Sequence, residues 1–174
     1  MKLFWHKTND LGIIPSKRPE DAGFDIYSCV DSYLLMPGEK HLFPTGIAAA
    51  AEPGWWLLAF DRGSTGSRGI HTHCGIIDNG YRGEIFICLC NDNSYPVKFC
   101  RDTLKIEYNH MDFYYDREGK EQIGPILYYP LTKAIAQIIP IPQPQVESAE
   151  ATADEWEAMS NTERGDSKLG ASGK

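Results

Sequence analysis

The sequence predicts an all-β fold, a sandwich or barrel of short strands. Three observations lead there. Short apolar runs alternate with turn signals, the body shows no long helical period, and three tight turns are spelled out along it. Those turns are Met36-Pro37-Gly38-Glu39, Glu52-Pro53-Gly54 and Asp78-Asn79-Gly80-Tyr81. The expected strands, in order, are Lys2–His6, Phe24–Ser28, Lys40–Phe43, Thr45–Ala50 and Trp55–Phe60, then Glu84–Cys90, Val97–Cys100, Leu104–Tyr108, Ile126–Tyr129 and Ala134–Ile141. Asn79-Gly80 is the strongest hairpin signal, because both residues accept positive φ. After its first residue Glu84–Cys90 is apolar on both faces. Such a strand is covered on both sides, inside a sandwich or at a subunit interface.

The chain has 174 residues, 42% of them hydrophobic and 24% charged, which fits one ordinary domain and excludes global disorder. The formal net charge of -7 disfavours a nucleic-acid binder, which needs a basic footprint. It does not exclude a nucleotide whose charge a metal ion and a few arginines neutralise. No run of eighteen apolar residues is present, so no membrane partner is expected. Five cysteines, an odd number, without an export signal point to reduced thiols and a cytoplasmic protein. The composition changes near Pro140. From Gln143 on there are seven acids against three bases and neither Ile nor Phe. The expected division is a β domain over 1–142 and a flexible tail over 143–174, disordered from Glu163, with one helical turn at Asp154–Met159 anchored by Trp156.

Five segments carry candidate chemistry, and each has a plainer alternative. In Ala22-Gly23-Phe24-Asp25-Ile26, Asp25 can hold a metal-bound water or be a turn acid. Asp61 to Gly69 sets Arg62 and Arg68 around Ser64, Thr65 and Ser67, an anion cradle or a flexible loop. In Gly75 to Glu84, Asp78 at the mouth of a tight turn can serve as a general base or be an ordinary hairpin acid. Gln137 interrupts an apolar strand, so its amide needs partners, backbone or ligand. Arg164 to Gly173 is Gly-rich and can close over a ligand or fray. His71 and His73, with Cys74 beside them, are too few for a zinc site.

Together, in this order and spacing, the five segments resemble the motifs of the trimeric deoxyuridine triphosphatases (dUTPases). The resemblance implies a jelly-roll β fold, a homotrimer and Mg2+-dependent hydrolysis of dUTP to dUMP and pyrophosphate. It assigns Asp78 to the attacking water and Arg164 to the closing tail as catalytic residues. Substrate binding falls to Arg62, Ser64, Thr72, Gly75, Ile77, Tyr81, Gln137, Leu169, Gly170 and Ser172, and the metal, through water, to Asp25. Tyr81 would pack against the sugar and reject a 2′ hydroxyl. Backbone groups of a hairpin around Thr72 to Gly75 would read the uracil.

Two departures stand out. Gly63 replaces a phosphate-contacting serine, and Leu169 replaces a phenylalanine that stacks on the base. An insertion within 101–124, resembling those of some bacteriophage members, is a covering hairpin or a surface for a protein partner. Two other readings stay open: a catalytically weak regulatory protein that binds a partner through this insertion, and a dCTP deaminase-like relative.

Overall fold

A computed structural model describes residues 1–101, 109–162 and 165. The first thirteen elements in the chain are strands with one helical turn among them. They are β1 (Leu3–Lys7), β2 (Phe24–Ile26), β3 (Ser32–Leu35), β4 (Lys40–Pro44), β5 (Ile47–Ala51), β6 (Trp55–Phe60), α1 (Gly63–Gly66), β7 (Ile70–His73), β8 (Ile76–Ile77), β9 (Phe86–Asn91), β10 (Val97–Cys100), β11 (Asn109–Tyr115) and β12 (Glu121–Pro130). After them come β13 (Ala136–Pro142) and the helix α2 (Ala153–Ser160). The strands form four sheets, ordered β1-β5, β11-β12-β10-β3, β2-β13-β6-β8 and β4-β9-β7. This is the all-β jelly-roll architecture that the motifs imply.

Two of the tight turns form as their sequences demand. Pro37-Gly38 and Pro53-Gly54 place proline first and a positive-φ glycine second, at +67° and +85°. The Glu39 amide closes the first turn by donating to Met36 O. Asn79-Gly80 behaves otherwise. Tyr81 N donates to Asp78 O, so the turn exists, but neither Asn79 nor Gly80 has positive φ. The strands on either side do not pair as a hairpin: β8 joins β6, and β9 joins β4 and β7. The turn is a crossing between sheets.

The core packs Ile26, Phe43, Ile70, Ile87, Leu89, Phe99, Tyr129 and Ile135, all at 0% exposure. Ile85 and β9 from Ile87 to Asn91 are buried within one chain. The sandwich interior therefore covers most of the doubly apolar strand, while Phe86 within it is exposed. Asn91 is the polar member, satisfied by donating to Leu35 O and Tyr95 O.

β3, β7, β8 and β11 fall where no strand is expected, while the expected strand Leu104–Tyr108 lies outside the described residues. The described part of the insertion is an antiparallel hairpin of β11 and β12 around Asp116–Lys120. One face covers Cys100, Ile126 and Tyr128 through Tyr114. The other exposes Met111, Phe113, Tyr115 and Ile123.

The chain separates into two units, Met1–Gln143 and Pro144–Lys174. In the second, α2 is two turns rather than one, started by a capping box in which Thr152 Oγ1 accepts from Glu155 N. Trp156 is exposed rather than an anchor. The functional expectations for Arg164, Leu169, Gly170 and Ser172 lie outside the described residues.

Candidate active site

Three distant stretches meet in an open cavity of about 680 Å³. β2 supplies Asp25, the segment after β6 supplies Arg62, Gly63 and Ser64, and β13 supplies Gln137. The sheet β2-β13-β6 makes this convergence, with Gln137 registered opposite both Asp25 and Phe60. Lys17, Arg18 and Asp21 complete the wall. Its three cations outnumber its two acids, which suits an anion. Sequence reasoning passed over Lys17 and Arg18, although a basic pair just before the first segment is a readable signal.

Arg62 and Asp25 form a two-pronged ion pair: Nε to Oδ1 at 2.8 Å and Nη2 to Oδ2 at 3.0 Å. Arg62 Nη1 also donates to Ala134 O at 3.1 Å. Gln137 Nε2 donates to Asp61 O at 2.7 Å, which leaves the amide further hydrogen-bonding capacity. The Asp61–Gly69 segment is a formed helical turn rather than a flexible loop. The amides of Thr65, Gly66, Ser67, Arg68 and Gly69 all bond within it, so an anion is left to the side chains and the segment's start. A Cβ built on Gly63 meets nothing within 4 Å.

Asp61 is a further residue that sequence reasoning missed. Its carboxylate accepts from His71 Nδ1 at 2.8 Å and from the Thr72 amide, and its carbonyl holds Gln137. Burial alone would push the Asp61 carboxyl up, but the bonds from His71 and Thr72 overcome it and hold the group below the usual carboxylate value. An ionised Asp61 fixes the His71 tautomer with the proton on Nδ1. His71 Nε2 lies 3.9 Å from Asp92. Thus His71 ties this segment to β7.

A second, smaller pocket of about 220 Å³ is lined by Cys74, Ile77, Asp78, Tyr81, Glu84 and Phe86, among others. Its floor follows a corner where the chain leaves β7 in one sheet for β8 in the other, at Cys74 with φ +54°. The corner is not the hairpin expected around Thr72 to Gly75. Gly75 is required there: Ala59 N donates to Gly75 O at 2.7 Å, and a Cβ on Gly75 would lie 2.2 Å from Ala59 O. The Thr72 amide is committed to Asp61. Asp78 rides on a turn that Asn79 pins by donating from Nδ2 to Ala51 O, Glu52 O and Trp55 O. Tyr81 is partly exposed, its hydroxyl donating to Glu84 O at 2.8 Å. One chain thus brings Asp25, Arg62, Ser64 and Gln137 together, and Asp78, Ile77 and Tyr81 together, in two separate hollows.

Among the described residues no three His, Cys, Asp or Glu side chains cluster to hold a metal. Asp25 is a single carboxylate already shared with Arg62. This donor set fits a hydrated Mg2+ that arrives with a triphosphate, because Mg2+ keeps most of its waters and takes one or two carboxylates beside phosphate oxygens. It does not fit an ion caged by protein alone. No helix among the described residues is long and apolar enough to cross a membrane.

If phosphate approaches Gly63, Gly63→Ser adds a hydrogen bond to a charged group. The expected result is a roughly 10–100-fold rise in kcat/KM on dUTP with an unchanged melting temperature. An unchanged kcat/KM would place the phosphates elsewhere.

The dUTPase family model matches residues 9–101. The deoxyuridine 5′-triphosphate nucleotidohydrolase of Nautilia profundicola is 30% identical over 182 residues, covering 100% of both chains. A Pol polyprotein of caprine arthritis encephalitis virus is 34% identical over 86 residues, 49% of this chain but only 8% of that protein. Among solved structures, the Staphylococcus bacteriophage 80alpha dUTPase with dUPNHPP superposes at TM-score 0.69 and 24% identity, covering 99% of each chain. That likeness shows the shared fold. With the family match and the full-length relative, it establishes that this chain belongs to the dUTPase family.

Proposed function

We propose that Asp78 is the general base in the hydrolysis of dUTP to dUMP and pyrophosphate that this dUTPase family member performs. The observation that carries this assignment is the Asp78 turn, held at the small pocket by three hydrogen bonds from Asn79. A base fixed before substrate arrives needs little reorganisation in the reaction. Asp78 takes a proton from the water whose oxygen attacks the α-phosphorus, and the bond to the β-phosphate breaks to release pyrophosphate. Tyr81 borders the sugar and leaves no room for a 2′ hydroxyl. Ile77 and the Cys74–Gly75 corner face the base. Arg62, Ser64 and Gln137 hold the phosphates in the larger cavity, whose excess of cations favours them. Asp25, through water, would hold Mg2+ there. When bound, the ion neutralises phosphate charge and fixes the triphosphate in line. The roles that the resemblance gives Arg164, Leu169, Gly170 and Ser172 fall outside the described residues.

The separation of the two hollows supports a homotrimer in which the Asp78 pocket of one subunit meets the Arg62 cavity of another. A triphosphate site needs both sets of groups, and a single chain leaves them apart.

A second role has its own observation. Met111, Phe113, Tyr115 and Ile123 share an exposed face of the β11–β12 hairpin, Phe113 lying in register with Ile123. Contiguous exposed apolar surface marks interaction sites, so this face is the surface for a protein partner.

Three outcomes test these assignments. Asp78→Asn retains binding of a non-hydrolysable dUTP analogue and loses roughly 10²–10⁴-fold in pyrophosphate release. Turnover near wild type would remove Asp78 from the base role. Wild-type protein spares UTP, dTTP and dCTP, and ammonia release from dCTP would instead favour the deaminase-like reading. Phe113→Ser with Ile123→Ser leaves dUTP turnover unchanged and abolishes retention of any host protein held by the wild type; equal retention by both proteins would clear this face.

A further inference from the structure

The five cysteines are all free, and only Cys74 is exposed. Cys90 Sγ donates to Asp92 Oδ1 at 3.1 Å, while Cys29 and Cys100 are buried elsewhere. Cys74 lines the Asp78 pocket. Cys88 stands behind it on β9, its Cα in register with that of His73. In a regular strand successive side chains alternate, so Cys74 would point away from the face that His73 and Cys88 share. The left-handed backbone at Cys74 breaks that alternation. Burial first, then the neighbouring Cys74 thiol, pushes Cys88 above the usual thiol value. Cys88 therefore stays protonated, and solvent reaches Cys74 first. A non-glycine residue held at positive φ is an uncommon conformation that concentrates at functional sites.

We propose that Cys74 and Cys88 form a dithiol site at the wall of the nucleoside pocket, converted to an internal disulfide by a low-molecular-weight disulfide such as oxidised glutathione. Cys74 follows directly on His73, whose Cα pairs with that of Cys88, and this sets the two cysteines side by side at the end of β7. In the first step the Cys74 thiolate attacks one glutathione sulfur. The glutathione S–S bond breaks, and one glutathione leaves and takes up a proton. In the second step Cys88 gives up its proton and attacks Cys74 Sγ, and the second glutathione leaves as its thiol. Two protein thiols are oxidised and one glutathione disulfide is reduced to two thiols. The new bond draws the Cys74 corner against β9 and reshapes the pocket beside Asp78. Its effect on turnover rests on the proposed placing of the nucleoside there; formation of the disulfide does not.

The test treats full-length protein with oxidised glutathione and reads the products by intact mass and peptide mapping. Wild type loses two hydrogens, and the peptides carrying Cys74 and Cys88 become linked. Pyrophosphate release from dUTP falls roughly 10²-fold, as expected for a displaced pocket wall, and dithiothreitol restores it. Cys88→Ala stops at one glutathione on Cys74, and Cys74→Ala takes none at this site. Wild-type protein that likewise stops at the mixed disulfide overturns the dithiol. A saturating non-hydrolysable dUTP analogue slows the first step. If the analogue leaves the rate unchanged while the internal disulfide still forms, the nucleoside placing fails and the dithiol stands.

Discussion

Asp61 joins three elements that the functional site requires. Its carboxylate takes the His71 ring and the Thr72 amide from β7, and its carbonyl takes the Gln137 amide from β13. The same residue ends the run out of β6 and leads into Arg62. The segment that presents Arg62 and Ser64 is therefore tied on one side to β7, which leads into the Cys74–Gly75 corner, and on the other to the strand bearing Gln137. Hydrogen bonds to a charged group carry about 1.5–3 kcal/mol each, enough to fix a short, polar, glycine-rich turn that buries little of its own surface.

Within the larger cavity one acid and one base are already paired before any ligand enters. Asp25 and Arg62 neutralise each other through two contacts, each side chain being only partly exposed. A triphosphate brought to Arg62 competes with Asp25 for the guanidinium. Asp25 would hold a hydrated divalent ion through water, and the ion would supply a second positive partner for its carboxylate. On the proposed assignment Asp25 and Arg62 serve one substrate as a pair, whereas either charge alone would stand without its partner in the free protein.

Much of this was legible in the sequence. Asp25, Arg62, Ser64 and Gln137 stand in segments whose residue types already suggest anion and metal chemistry, and the fold brings them into one cavity. Asp78 and Tyr81 were likewise marked by their turn. What escaped depends on contacts between distant positions. Asp61 reads as one more loop acid until β6 and β7 are placed side by side. The Asn79 side chain, rather than a positive-φ Asn-Gly hairpin, fixes the Asp78 turn, because its three carbonyl partners come from the end of β5 through the start of β6. β7, Ile70-His71-Thr72-His73, is too polar to read as a strand, and β11 mixes charge with aromatics across two unlike faces.

The arrangement of the catalytic groups follows from the same packing. β8 joins the sheet of β6, while β9 crosses into the sheet of β4 and β7. The Asp78 turn between them is carried away from the cavity built on β2, β6 and β13. A site made of both hollows then needs more than one copy of the chain. The most direct measurement mixes two inactive variants, Asp78→Asn and Arg62→Gln, under conditions where subunit exchange is verified by mass. A site shared between subunits restores dUTP hydrolysis in the mixture, because one variant lends Arg62 and the other Asp78. Mixed trimers that form and remain inactive would contradict the shared site.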